Sequence, residues 1–143
     1  MKKFEEYVKE NIVKKITPDF SRAKSLKEEA QKRKQFLEKL TLKLPLTDEN
    51  ANYYLEHIYD IIMELIRAKM LKDGYKSSGL GAHEAEISYL KNQGFKQTTI
   101  DLLDELRYFR NGIKYYGKKL DEEYAQKCLE LLKQNYDLLK KLI

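Results

Sequence analysis

The chain has 143 residues, enough for one compact domain with a real core and too few for two. Charged residues make up 36%, above the usual share of roughly 25%, and hydrophobic residues 42%; the many Lys, Glu and Tyr residues are a mild thermophile signal. The net charge of +5 permits nucleic-acid binding without requiring it, because it says nothing about clustering. Cys128 is the only cysteine, which excludes an intrachain disulfide and a cysteine-based zinc site and points to a reducing, cytoplasmic setting. No apolar run approaches the ~20 residues that span a bilayer. The longest, around Ile61–Ile66, is broken by Glu64, and MKKFEEYVKENIVKK lacks the apolar run of a signal peptide.

The apolar spacing is helical almost throughout. Phe4, Val8, Ile12 and Ile16 form a short stripe that stops before Pro18. From Asp19, the residues Ala23, Leu26, Ala30, Leu37 and Leu40 share one face. Arg33 falls in the same stripe and reads as an arginine snorkelling past the core edge rather than one paired with a buried carboxylate. Leu42–Leu46 is a loop around Pro45. Thr47, with Asp48 and Glu49, reads as the start of a long helix that Gly74 stops in a left-handed conformation. That helix should be the spine of a bundle. His57 on it is expected at a helix interface.

GYKSSGLGA (Gly74–Ala82) is the one flexible-looking stretch, and it does not match a P-loop. His83–Gln93 predicts a short helix ending at Gly94. Thr98-Thr99-Ile100-Asp101 fits a capping box with Asp in place of Glu. A last helix starts near Asp121 and ends with Lys140 and Lys141 at the negative end of its dipole. Cys128 sits at core spacing in it, where a buried inert thiol is the default. No strand or hairpin is expected. The histidines have no metal-ligand spacing, so no metal and no cofactor is assigned.

Between these helices runs LRYFRNGIKYYGKK (Leu106–Lys119). Asn111-Gly112 usually signals a turn. Yet Leu102, Leu106, Phe109, Ile113, Tyr116 and Leu120 keep one helical phase through it. A glycine inside a helix costs about 1 kcal/mol, less than several buried side chains return. A continuous helix is therefore expected, with a kink or bulge at Gly112. Arg107, Arg110, Asn111, Lys114 and Lys118 then lie along one broad face at spacings of three and four. Like charges so spaced repel by a few tenths of a kcal/mol per pair. Asp104, acids on a neighbouring helix, or phosphate would offset them. Arginine suits two-pronged phosphate contact, and Tyr108, Tyr115 and Tyr116 add surfaces on which bases can stack. The plainer alternative is a solvated basic face whose tyrosines pack at an interface.

Arg110-Asn111-Gly112-Ile113-Lys114-Tyr115 resembles the signature of the HEPN superfamily, an arginine, four to six residues, then a histidine, commonly with a polar residue after the arginine. Arg110 and Asn111 match, and four residues separate Arg110 from Tyr115. The order of SRAKSLKEEAQKRKQFLEKL, ENANYYLEHIYDIIMELIRAKM, a loop leading to AHEAEISYL, and DELRYFRNGIKYYG is similar to that of archaeal and bacterial HEPN proteins. The likeness covers about Asp19 to Leu139. It implies an all-α, HEPN-like bundle of four to five up-and-down helices. Residues 1–143 would be a single domain, with 1–17 an N-terminal helical extension and 18–143 the core bundle. It also implies a homodimer that brings two copies of the motif together.

The motif histidine is missing, and Tyr115 stands in its place. In the catalytic members, the resemblance implies metal-independent cleavage in which the RNA 2′-hydroxyl attacks the adjacent phosphodiester. Histidine suits the proton transfers, whereas about one tyrosine in a thousand is ionised at pH 7. On a straight helix, five residues also turn about 140° too far for Arg110 and Tyr115 to share a face. A bulge at Gly112 or a second subunit would be needed.

The expectation is therefore binding of RNA or a nucleotide by Arg107, Arg110, Asn111, Lys114, Lys118, Tyr115 and Tyr116. The resemblance further implies a minimal nucleotidyltransferase as protein partner in a toxin–antitoxin pair, able to modify Tyr115 or Tyr116. The alternatives are a metal-independent endoribonuclease, with Arg110, Asn111 and Tyr115 catalytic and His83 as a second proton-transfer group, and a structural dimer whose arginines pair with acids.

Overall fold

The computed structural model describes residues 1–143. Its spine is the long apolar segment foreseen in the middle of the chain. That helix, α3, spans Ala51–Asp73, and Leu55, Ile58, Ile62, Leu65 and Ile66 on it are buried. It is flanked by α2 (Phe20–Lys43), α4 (Ala82–Asn92), α5 (Gln97–Tyr116) and α6 (Glu122–Lys141). Residues 18–143 thus hold five helices, and a short α1 (Phe4–Lys9) in the N-terminal segment makes six in the chain. No helix is long and apolar enough to cross a membrane.

The chain also forms a two-stranded antiparallel sheet that periodicity concealed. β1 (Val13–Lys15) pairs antiparallel with β2 (Tyr75–Ser77), in the register Val13↔Ser77, Lys14↔Lys76, Lys15↔Tyr75. The helical stripe from Phe4 to Ile16 therefore ends early. Asn11 turns the backbone left-handed at φ 61°, and Ile12 and Ile16 fall outside α1. Phe4, Tyr7 and Val13 are nevertheless buried in the main core, so residues 1–17 share it. Three of the nine residues of the flexible-looking stretch, Tyr75–Ser77, form β2.

Gly74 explains the junction. It closes α3 at φ 86°, as its position predicted, and the Ile16 amide bonds to its carbonyl at 2.9 Å. A Cβ there would stand 2.8 Å from the Ile16 carbonyl oxygen.

Local capping differs from the expectation in two places. α3 begins after Asn50, not at Thr47, because Thr47 and Asn50 bond each other and Asn50 also reaches the Pro45 carbonyl. Asp48 instead accepts from the Glu122 amide, in the first turn of α6. α5 begins at Gln97 without a side-chain cap, so the Thr98–Asp101 box does not form; Gln97 bonds Asp101 along the helix. Asp121 does cap α6, accepting from the Tyr124 amide at 2.8 Å.

Arg33 is the paired arginine, not the snorkelling one. Its Nε stands 2.8 Å from Glu64 Oε1, and the Glu64 side chain is 12% exposed. Burial raises the Glu64 pKa more than Arg33 lowers it. His57 packs against Phe36 of α2, with ring centroids 5.6 Å apart. Cys128 is buried, and burial pushes its thiol up to about 11.

Candidate functional site

α5 runs unbroken through Asn111-Gly112 to Tyr116, and Gly117 ends it in a left-handed conformation at φ 64°. The helix carries Arg107 and Arg110 to different neighbours, so the expected single basic face divides.

Arg107 faces α4. Its Nε donates to Asp104 Oδ1 at 2.7 Å, and its Nη2 is 3.8 Å from Glu84 Oε2. Glu84 also accepts from the Tyr7 hydroxyl, which ties α1 to this cluster. Burial, followed by the Glu84 bond, holds the Tyr7 proton firmly, well above the usual phenol range.

Arg110 faces α3. Its guanidinium lies 5.2 Å from the Tyr59 ring centroid, a cation–π contact. Its nearest acid is Asp60, with Nη2 and Oδ1 3.7 Å apart, too far for a hydrogen bond. Its Nε is buried without an acceptor. Burying a charged donor unpaired is costly, so the guanidinium has unused bonding capacity.

Tyr59 links this arginine to His83. Its ring is buried in α3, and its hydroxyl stands 3.1 Å from His83 Nδ1 at the start of α4. Burial pushes the Tyr59 hydroxyl up to about 12, with Glu86 adding to the effect. The hydroxyl therefore keeps its proton at neutral pH. Burial also lowers the His83 pKa; Glu86 opposes this, and Arg67, Arg110 and Arg107 reinforce it. The lowered pKa favours the neutral imidazole over the cation. With Tyr59 donating to Nδ1, its Nε2 carries the hydrogen and serves as a donor. With the tautomer reversed, Tyr59 accepts from Nδ1 and Nε2 becomes a free base.

The remaining sequence candidates divide clearly. Asn111 is half-buried beside Arg110, and Lys114 is exposed. Tyr108, Tyr115 and Tyr116 are 67%, 71% and 87% exposed, so their rings are open to solvent. Tyr115 neither bonds nor stacks with an arginine of its own chain, in keeping with its helical angle. Lys118 does not belong to the helical face, because α5 ends before it. Its ammonium folds back over the Phe109 ring at 4.2 Å, and its stem lies over Gly112.

The sequence reading missed Tyr59 and Asp60. Tyr59 keeps the core phase of α3, and nothing in its spacing marks it. An acid directly after it in an apolar run was the one available hint. No three His, Cys, Asp or Glu side chains gather so as to hold a metal ion. Comparison with family models, curated proteins and solved structures gave no significant match.

Proposed function

We propose that this chain is an HEPN-type protein that holds RNA or a nucleotide on the C-terminal half of α5, by binding rather than strong catalysis. Arg110 takes a phosphate, with Asn111 and His83 Nε2–H as neighbouring donors. Lys114 adds charge, and Tyr108, Tyr115 and Tyr116 offer stacking surfaces. Arg107, already bonded to Asp104, contributes field more than contact.

One observation carries this reading. Arg110 is fixed from beneath by the Tyr59 ring, yet its Nε has no acceptor and its only acid stands at 3.7 Å. A planar fork held in place and under-used suits phosphate, which can take two of its donors at once. A homodimer pairing two such helices belongs to the same proposal. So does a nucleotidyltransferase partner acting on Tyr115 or Tyr116, whose hydroxyls stand in the open.

A second reading, a metal-independent endoribonuclease, is favoured by one contact. Tyr59 touches both residues, its hydroxyl bonding His83 and its ring carrying Arg110, so an imidazole and a guanidinium share one support. That reading uses the tautomer with a free Nε2, and His83 rather than Tyr115 as the proton acceptor.

The test is a structured RNA pool incubated in EDTA with the native chain, Arg110→Ala and His83→Ala. Intact RNA together with salt-sensitive binding is the expected result. Cleavage lost in both variants would establish the nuclease instead. Neither binding nor cleavage would overturn both readings, leaving a structural bundle whose arginines serve Asp60, Asp104 and Glu84.

A further inference from the structure

A cavity lies away from α5. It has a volume of about 350 Å³ and opens between α2, the C-terminal half of α3, β2 and α4. Its floor is apolar, formed by the buried Met70 and Leu71 with the half-buried Leu26. Its mouth is basic: Arg22 of α2 and Lys76 of β2 are exposed there, and neither has an acidic partner. Arg67 lines it from α3.

The single acid in the lining, Glu86, is 3% exposed and already committed. Its Oε2 accepts from Arg67 Nε at 2.9 Å, and its Oε1 from Ser77 Oγ at 2.6 Å. Three cations against one carboxylate leave the lining at +2. Two unpaired cations at the rim of an apolar pocket call for a ligand with an anionic end and an apolar body. Tyr75 on the wall is half-buried, its ring packed against Phe4 and Tyr89, and its open part adds an aromatic surface for a planar group. The volume sits at the small end of the ~300–1,000 Å³ range of ligand sites, which favours one nucleotide over a longer strand.

We propose that this cavity binds a nucleoside monophosphate, with its phosphate between Arg22 and Lys76 and its base against Tyr75 and the apolar floor. The proposal does not rest on the α5 reading, since none of Arg107, Arg110 and Tyr115 lines the cavity.

The test is an amide NMR titration of the full chain with AMP, GMP, CMP and UMP in turn, and with inorganic phosphate. At least one nucleotide should give saturable shifts at Arg22, Leu26, Arg67, Tyr75–Ser77 and Glu86. The double variant Arg22→Ala/Lys76→Ala changes only exposed cations, so it should melt like the native chain while binding roughly tenfold or more weakly. Inorganic phosphate should bind less tightly than the best nucleotide. No saturable shift with any of the four, shifts confined to residues 107–116, unchanged affinity in the double variant, or equal binding of phosphate would each overturn the proposal.

Discussion

Arg110 rests on a ring and on little else. The loose contact with Asp60 and the unpaired Nε mean that Arg110→Ala should cost at most about 1 kcal/mol in folding stability, which denaturant melts will read. A loss of several kcal/mol would instead mark the arginine as structural. His83 gives a pH signature. Its folded pKa lies below the ordinary 6.5 because burial disfavours the cation. The unfolded chain therefore takes up this proton more readily. The stability due to the neutral imidazole is full above about pH 6.5 and is lost as pH falls through the folded pKa. His83→Gln should flatten that part of the profile, as paired thermal melts between about pH 5 and pH 7.5 would reveal. Identical profiles for the two proteins would contradict it. His83 could be noticed from sequence, because it follows the glycine-rich loop and opens a helix. Tyr59 could not, because a tyrosine in a core stripe looks the same whether or not its hydroxyl has a task.

The elements carry their own tests. Gly112 lies within α5, and a Cβ there would meet only the flexible Lys118 side chain, at 3.3 Å. Gly112→Ala should therefore stabilise the fold by up to about 1 kcal/mol in chemical denaturation. Gly74 is the opposite case. Its positive φ and the Ile16 carbonyl 2.8 Å from an added Cβ mean that Gly74→Ala should destabilise by about 1–3 kcal/mol. Arg33→Ala strands the buried Glu64 carboxylate, and should cost on the order of 2–3 kcal/mol, less than for a fully buried pair. The joint change Arg33→Met/Glu64→Leu should recover most of that loss. Helix periodicity revealed α2 to α6 because each must bury one stripe over several turns. It failed at β1, where three residues are too few to show a period of two and Val8, Ile12 and Ile16 happen to keep the helical spacing. The capping errors have a similar origin, since side chains near a helix start can bond to several competing groups.

Across the whole molecule, the candidate site joins three segments far apart in sequence, Tyr59–Asp60, His83–Glu84 and Asp104–Asn111. The basic, tyrosine-rich stretch was legible because its residues are contiguous. The grouping of Arg110 with His83 was not, because α3 supplies the tyrosine between them. Exposed Tyr108, Tyr115 and Tyr116 leave an aromatic surface at the end of α5, and the expected homodimer should appear in sedimentation as a species of twice the 17.0 kDa chain mass. The most direct test of the α5 site is fluorescence anisotropy of a labelled single-stranded RNA with the native chain and Arg110→Ala, at low and moderate salt. The account predicts binding by the native chain that weakens steeply with salt, and a loss of about tenfold or more in a variant that still folds. Equal binding by both proteins, or none by either, would contradict it.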